Sequence, residues 1–326
     1  MSEVYLQNKS IEEVLEIVIP TYNRPKSLQV LLLELSKSKL SECQITILDN
    51  NSPDQGCLKS QSLVDMGLPN ASFHRKHVNI GAAANLMQAY EIATREYLWV
   101  LCDDDITDFT DLKIQNINQC LLFEKPDCYI VGTPYYDVYQ KENLGKSSIA
   151  KYENVLESIP VVLSFVPSAI LRMEWLRSCN YSLGYKLART YFPQFFWISK
   201  VISEDASCCV SSAPLVVRSN VDTGFESALY HFMIYAEAAC TINSPKKRKN
   251  AFRVYFRNRH LPLIIHVLKL ALYDKAKREL PNSIEKQVLK EVLGINYPLF
   301  CVLFSAIKLF PSKIIKYAIQ IKNNDK

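Results

Sequence analysis

The sequence lacks the residue spacings that mark structural zinc sites. Its ten cysteines include no CxxC pair, and none lies at metal-ligand spacing from the five histidines. It also lacks the pattern of a secretion signal, because the N-terminal stretch MSEVYLQNKSIEEVLE is polar and acidic rather than cationic and then apolar. We therefore expect reduced, mostly buried thiols and a cytoplasmic location.

Long apolar runs and a strong charge of one sign are missing as well. The longest apolar stretch, 297–306, contains Pro298 and is soon followed by Lys308, so it falls short of the roughly 18 uncharged residues of a membrane-spanning helix. The net charge of +5 is a mild excess, far below the dense basic character of a dedicated nucleic-acid binder. We expect no nucleic-acid partner and at most a peripheral membrane contact.

What the sequence does contain, in its first half, is an alternation of short β-rich runs and helical patterns. Such alternation is typical of an α/β fold with a mostly parallel, Rossmann-like sheet flanked by helices. Beyond residue 222 the periodicity is helical. We therefore predict a domain over 1–222 and a helical region over 223–326. The predicted strands are 16–20, 44–48, 73–78, 97–101, 128–132 and 214–218. The predicted helices include 27–36, 83–95, 172–179, 193–202, 230–241, 249–276 and 283–293.

Polar residues follow four of the predicted strands. These are Thr21 to Arg24, Asp49, Asn79 with Gly81, and Asp103 to Asp105. Ligands of open α/β sheets bind beyond the carboxyl ends of the strands, where the loops converge. The sequence therefore predicts a binding site at this rim.

The run Asp103-Asp104-Asp105 is the strongest chemical signal. Three adjacent carboxylates repel one another unless a cation or hydrogen-bond donors compensate them, and Mn²⁺ or Mg²⁺ suits oxygen ligands. A solvated turn or a helix cap is the alternative. Asp49 can accept hydrogen bonds from a base or ribose, or can simply be a turn residue. The pattern Asn79-x-Gly81-x-x-x-Asn85 places amides and a glycine before a helix N-terminus, where phosphate is favoured.

In order and spacing, four segments resemble the family-2 glycosyltransferases of the GT-A fold, over roughly residues 15 to 220. They are Ile17 to Arg24, Leu48 to Ser52, Asn79 to Asn85, and Trp99 to Ile106. The resemblance implies inverting transfer from a nucleotide-sugar, most commonly a uridine diphosphate sugar. It implies nucleotide-sugar contacts at Pro20, Thr21, Asn23, Arg24, Asp49, Asn79, Gly81, Asn85, Asp103 and Asp104.

Two departures from the family pattern affect the predicted roles. The common family pattern is Asp-x-Asp-Asp followed by an apolar residue. With Ile106 as that apolar residue, Cys102 stands where the first Asp belongs. The metal ligand is then expected at Asp104, with Asp105 as a second candidate and Asp103 nearer the ribose. The Glu-Asp pair that supplies the general base in many relatives is missing before helix 193–202. The base therefore stays open among Glu204, Asp205, Asp222 and Glu226.

The run Tyr191 to Gln194 resembles a subgroup that modifies bacterial surface polysaccharides, including abequosyltransferase-like members. This resemblance implies acceptor contacts at Tyr191 and Gln194 and a glycan or lipid-linked acceptor in O-antigen or capsule synthesis. Basic and apolar residues interleave over 246–259 and 297–322. These two segments fit either helices lying on an anionic membrane surface or ordinary surface helices. A module that binds a nucleotide-sugar without turnover is the alternative function.

Overall fold

The chain divides into two compact units, Met1–Val221 and Asp222–Lys326. The computed structural model describes residues 9–53, 60–133, 163, 165–188, 192–203, 206–211, 215–217, 241–242, 290 and 298. The fold given below is therefore that of the first unit. The helices predicted over 230–241, 249–276 and 283–293 lie, apart from residues 241 and 290, outside the described residues.

The first unit combines strands and helices in alternation. Its strands are β1 (Leu15–Thr21), β2 (Gln44–Asp49), β3 (Ala71–Arg75), β4 (Tyr97–Val100), β5 (Ile106–Thr107), β6 (Cys128–Ile130), β7 (Gly132–Thr133), β8 (Ala169–Arg172), β9 (Cys208–Val210) and β10 (Val216–Val217). Its helices are α1 (Ile11–Val14), α2 (Pro25–Ser36), α3 (Ser60–Asp65), α4 (Ala82–Ile92), α5 (Asp111–Gln119), α6 (Met173–Arg177), α7 (Tyr181–Leu187) and α8 (Phe195–Ser203). A π-helical turn, Cys120–Glu124, follows α5.

Seven strands form the central sheet, in the order β3-β2-β1-β4-β8-β6-β9. Neighbours from β3 to β4 are parallel, β8 runs antiparallel to both β4 and β6, and β9 is parallel to β6. A second, three-stranded sheet has the order β5-β10-β7. The prediction of a mostly parallel sheet flanked by helices is confirmed.

Burial of apolar side chains explains the central elements. All residues of β1 except Pro20 are buried, as expected for a parallel strand covered on both faces. Helix α2 begins with Pro25 in its first turn, where the missing N–H costs nothing. Its Leu28, Leu31, Leu32 and Leu35 are buried on one face, at the spacing of an amphipathic helix.

Most predicted elements lie within a few residues of their observed bounds. The third strand was predicted over 73–78, whereas β3 is Ala71–Arg75, so the prediction was shifted toward the carboxyl end. Strand β8 was not predicted. Its four residues are too few to show a period, and the antiparallel pairing that defines it is a long-range contact.

The described cysteines are free thiols, and all of them except the partly exposed Cys102 are buried. The expectation of reduced, mostly buried cysteines is therefore confirmed for Cys43, Cys102, Cys120, Cys128, Cys179, Cys208 and Cys209. The aromatic run Phe195 to Trp197 is also buried, as expected of a core stripe. No helix of the described part of the chain has the length and apolarity needed to cross a membrane.

Candidate nucleotide-sugar site

Three residues stand side by side where the parallel strands end. Thr21 of β1 is in register with Asp49 of β2, and Asp49 is in register with Arg75 of β3. The loop that carries the acidic triplet follows β4, the other neighbour of β1. Parallel strands thus bring the predicted polar residues to one edge of the sheet.

Asp103 is held at this edge by hydrogen bonds to both of its carboxylate oxygens. Thr21 Oγ1 donates to Oδ2 at 2.5 Å, and Arg24 Nη1 donates to Oδ1 at 3.0 Å. The side chain is 5% exposed. Burial raises the pKa of Asp103 above its usual range, and the contacts with Thr21 and Arg24 offset part of that rise.

Asp104 shares the same guanidinium nitrogen. Arg24 Nη1 donates to Asp104 Oδ2 at 2.6 Å, and the Asp104 side chain is 14% exposed. Burial lowers the pKa of Arg24, but the charges of Asp103 and Asp104 outweigh burial and raise that pKa overall. One guanidinium is therefore shared between these two carboxylates.

Asp105 has a different partner. Burial and the neighbouring carboxylates, Asp105 foremost among them, raise the pKa of the Cys102 thiol, which donates a hydrogen bond to the Asp105 side chain. The triplet therefore splits, with Asp103 and Asp104 on Arg24 and Asp105 on Cys102. Within the triplet, Asp104 is the residue that is both partly exposed and bound to Arg24.

Asp49 is fully buried and bound within its own loop. The Ser52 N–H donates to both Asp49 oxygens at 3.2 Å, and the Ser52 hydroxyl donates to Oδ1. Arg75 Nε lies 3.6 Å from Asp49 Oδ2, and Arg75 Nη2 donates to the Ser52 carbonyl at 2.6 Å. Asp49 therefore fixes the loop after β2 and orients Arg75.

Arg75 belongs to the same edge of the sheet and was not predicted from the sequence. It ends β3 in register with Asp49, and its side chain is about one-third exposed. A cation at the carboxyl end of a strand was the available signal. Arg75 was overlooked because the strand was predicted over 73–78, which puts Arg75 inside the strand rather than at its end.

The loops after β1 and β2 are joined through Asn23, whose N–H donates to Ser52 Oγ at 2.8 Å. A second set of bonds builds the loop before α4. Asn50 Nδ2 donates to Asn79 Oδ1 at 2.8 Å, and the Gly81 N–H donates to the same oxygen at 2.8 Å. Gly81 has φ of 87°, a conformation that favours glycine, and directly precedes α4.

Not every predicted residue reaches the open edge. Asn85 is buried, and its Nδ2 donates to the Leu48 carbonyl at 3.0 Å, so it ties α4 to β2. Pro20 lies within β1, in register with Leu48. Gln194 is buried, and its backbone carbonyl accepts hydrogen bonds from the Trp197 and Ile198 N–H groups at the start of α8. Tyr191, Glu204, Asp205, Asp222 and Glu226 lie outside the described residues.

The donor groups at this edge fit a divalent cation held jointly with a ligand. Within the described ranges, no three His, Cys, Asp or Glu side chains form a metal cage. Mg²⁺ and Mn²⁺ sites commonly use one or two carboxylates and complete their shell with water and substrate phosphate. Asp104, partly exposed beside Asp103, provides such a carboxylate.

Comparisons with known proteins concern the family and the fold. Residues 16–176 match the sequence profile of glycosyl transferase family 2, and the chain matches no curated protein sequence significantly. The fold is similar to that of S. aureus TarS residues 1–349, at 14% identity and a TM-score of 0.56, covering 95% of this chain and 92% of that chain. A longer S. aureus TarS structure has 15% identity, a TM-score of 0.57 and coverage of 94% and 55%.

The solved structures of S. aureus TarS 1–349 include complexes with UDP and with UDP-GlcNAc. At these identities the likeness to TarS concerns the fold, and it is the sequence match that indicates the family. Residues 16–176 of this chain thus match the family model of glycosyl transferase family 2, and the mostly parallel, helix-flanked sheet is that of the GT-A fold.

Proposed function

We propose that the chain is an inverting glycosyltransferase that takes a sugar from a nucleotide-sugar. The cluster of Thr21, Arg24, Asp103 and Asp104 beyond the central strands is the observation that carries this proposal. It places two carboxyl groups and one cation beside loops rich in amide donors. Such a surface can bind a ribose, a diphosphate and a divalent cation together.

Each group has a specific task in this proposal. Asp103, fixed by Thr21 and Arg24, accepts hydrogen bonds from the ribose hydroxyls. Gly81, at the N-terminus of α4, offers an open backbone to phosphate. Asp104 would hold Mn²⁺ or Mg²⁺, with Asp105 as the second candidate ligand, and the metal would supply charge neutralisation for the departing diphosphate.

The reaction is proposed as a direct displacement. The acceptor hydroxyl oxygen forms a bond to the anomeric carbon, the bond from that carbon to the diphosphate oxygen breaks, and a base takes the hydroxyl proton. The candidate bases remain Glu204, Asp205, Asp222 and Glu226. A single displacement inverts the anomeric configuration.

A uridine diphosphate sugar is the first donor to test. The structures of S. aureus TarS with UDP and UDP-GlcNAc support that choice, since they show this fold holding such a ligand. We propose a glycan or lipid-linked acceptor of a bacterial surface polysaccharide, O-antigen or capsule, as for the abequosyltransferase-like subgroup. Tyr191 and Gln194 would then lie on the acceptor side, and segments 246–259 and 297–322 would bring the enzyme to the cytoplasmic face of the inner membrane.

A protein that binds a nucleotide-sugar without turnover is the second candidate. It is favoured by one feature of the sequence, the lack of a Glu-Asp pair before α8. The two candidates differ in one measurable quantity. Only the enzyme releases nucleoside diphosphate in proportion to glycosylated acceptor.

The test is a thermal-shift screen with UDP-, GDP-, dTDP- and CDP-sugars, each with and without Mn²⁺. A ligand at about 100 times its Kd adds roughly 2.7 kcal/mol to the free energy of unfolding. We expect a metal-dependent rise in Tm with one nucleotide and none for Asp104→Ala. Glu34→Ala, which removes an exposed carboxylate from α2, is the matched control and should respond as the wild type does. A Tm unchanged by every nucleotide would overturn the proposal.

A further inference from the structure

Arg24 occupies the position of a counter-ion at the two carboxylates that face the ligand side. Its Nη1 lies 3.0 Å from Asp103 Oδ1 and 2.6 Å from Asp104 Oδ2. Each carboxylate oxygen of Asp103 already accepts one hydrogen bond, and the Asp103 side chain is less exposed than that of Asp104. A divalent cation entering from solvent therefore meets Asp104, and there it meets a carboxylate that already has a cation.

Two cations on one carboxylate repel each other across a few ångströms. In a partly buried setting this repulsion is much less screened than in water. A metal ion can bind Asp104 well only if the guanidinium withdraws. Withdrawal in turn is costly unless another anion receives the guanidinium, because its charge is already partly desolvated.

The position of Arg24 makes withdrawal feasible. Its side chain is 42% exposed, and the residue lies at the beginning of α2, outside the helix. The guanidinium can thus rotate toward solvent or toward a neighbouring ligand without disturbing the core. A diphosphate bound at the same rim is an anion of the required geometry, since guanidinium groups bind phosphate oxygens in pairs.

We infer that Arg24 couples metal binding to nucleotide binding by exchanging Asp104 for the diphosphate. Without nucleotide, Arg24 stays on the carboxylates and metal affinity is low. With a nucleoside diphosphate, Arg24 moves to the phosphates and Asp104 becomes available to the metal. This inference rests on the proposed function, and it makes Arg24 a positioning residue for both ligands. By linkage, the metal must raise nucleotide affinity by the same factor.

The test measures Mn²⁺ binding directly, from the loss of the electron paramagnetic resonance signal of free Mn²⁺. For the wild type, saturating UDP should tighten Mn²⁺ binding by at least about tenfold. Arg24→Gln should bind Mn²⁺ without nucleotide at least about tenfold more tightly than the wild type. UDP should then tighten Mn²⁺ binding by a smaller factor than in the wild type, because only the direct contact between metal and phosphate remains.

Lys26→Gln is the matched control, because it removes the same charge two residues away, from the exposed first turn of α2. It should bind Mn²⁺ as the wild type does. The double variant Arg24→Gln, Asp104→Asn should lose the tighter Mn²⁺ binding of Arg24→Gln. That loss would place the bound metal at Asp104. Arg24→Lys serves if the glutamine variant does not fold, since a compact ammonium spans two carboxylates less well. That variant should bind Mn²⁺ alone more tightly than the wild type.

Equal Mn²⁺ affinity of the wild type and the Arg24 variants in the absence of nucleotide would overturn the inference. A wild-type Mn²⁺ affinity that UDP, GDP, dTDP and CDP all leave unchanged would overturn it as well. Binding of these nucleotides is measured separately by calorimetry with and without Mn²⁺. If the protein binds a nucleotide but the Arg24 variants have the Mn²⁺ affinity of the wild type, only the coupling is refuted. If no nucleotide binds under any condition, the proposed function itself is refuted.

Discussion

At the scale of single residues, two asparagines give the rim its shape. Asn23 has φ of 54° and Asn51 has φ of 62°. Asparagine tolerates this left-handed conformation better than most side chains, although the conformation still costs energy. Both residues lie where the chain turns sharply after a strand, next to Arg24 and Ser52 respectively. The hydrogen bond from the Asn23 N–H to Ser52 Oγ holds the two turns together.

Cys43 offers a prediction about pH. It is fully buried, and burial raises its pKa to about 12. A raised pKa favours the neutral thiol in the folded protein, so at pH 8 only about one molecule in ten thousand carries the thiolate. We expect iodoacetamide to leave the Cys43 peptide unmodified at pH 8 in the native protein, as measured by mass spectrometry.

The same peptide should be alkylated readily once the chain is unfolded in urea. The stabilising effect of the neutral thiol should also disappear as the pH rises from the ordinary thiol value toward 12, because the unfolded chain then loses its proton first. Equal alkylation of Cys43 in the native and unfolded protein would contradict the burial seen in the structure.

The direction of individual side chains was the part of the site that the sequence could not supply. Strand ends predicted that Thr21, Arg24 and the acidic triplet meet, and the structure brings them together. Adjacent carboxylates, however, look alike in a sequence. The turn of Asp105 toward Cys102 depends on the local backbone path, which no spacing rule specifies.

At the scale of elements, β1 has different roles at its two ends. Its carboxyl end leads into the candidate site, whereas its amino end contains Glu16, a carboxylate only 1% exposed. Glu16 Oε2 accepts the Thr94 N–H at 2.7 Å, and Oε1 accepts from Thr46 Oγ1 at 3.1 Å. Glu16 thereby joins β1 to β2 and to the chain segment that enters β4.

Glu16→Gln should lower the free energy of unfolding by about 1 to 3 kcal/mol, because its amide N–H₂ would replace an acceptor that faces donors. A drop of several degrees in Tm, measured by calorimetry, is the expected result. Nucleotide affinity should stay unchanged, since Glu16 lies at the opposite end of the strand from Thr21.

Glu34→Gln is the control for this substitution, because Glu34 lies half-exposed on α2. Its effect on stability should stay within about 0.5 kcal/mol. If Glu16→Gln had the same Tm as the wild type, the buried hydrogen bonds of Glu16 would make no net contribution to the free energy of unfolding. A change in UDP affinity would show instead that the two ends of β1 are not independent.

The elements themselves were largely predictable where their periodicity is clear. The leucines of α2 and the apolar run of β1 determine both elements without help from the rest of the fold. Strand β8 depends instead on pairing with β4 and β6. Long-range pairing of a four-residue segment leaves no mark in the local sequence.

At the scale of the whole molecule, the modest charge of +5 is concentrated in part at Lys246-Lys247-Arg248-Lys249. If this cluster meets an anionic membrane surface, each cation contributes about 1 kcal/mol near the lipid headgroups. We expect the full chain to float with vesicles of phosphatidylglycerol and phosphatidylcholine at low salt. Replacing these four residues by glutamine should weaken that binding at least about tenfold.

The matched control replaces four lysines of the first unit, Lys9, Lys26, Lys37 and Lys39, by glutamine. Its net charge therefore equals that of the variant without the 246–249 cluster. It should float as the wild type does, and about 0.5 M salt should release both proteins. Equal flotation of the two charge variants would exclude the cluster as a membrane contact and favour the interpretation as an ordinary surface helix.

The placement of Glu16 and Thr21 at opposite ends of one short strand also bears on how such a protein can change over time. Substitutions in the loops around Arg24, Arg75 and Asp104 would alter the proposed ligand contacts without touching the hydrogen bonds that secure Glu16. Loops supported by a rigid sheet tolerate such variation. A lineage, or a laboratory selection, could therefore exchange one donor sugar for another through loop residues alone while the sheet is inherited unchanged.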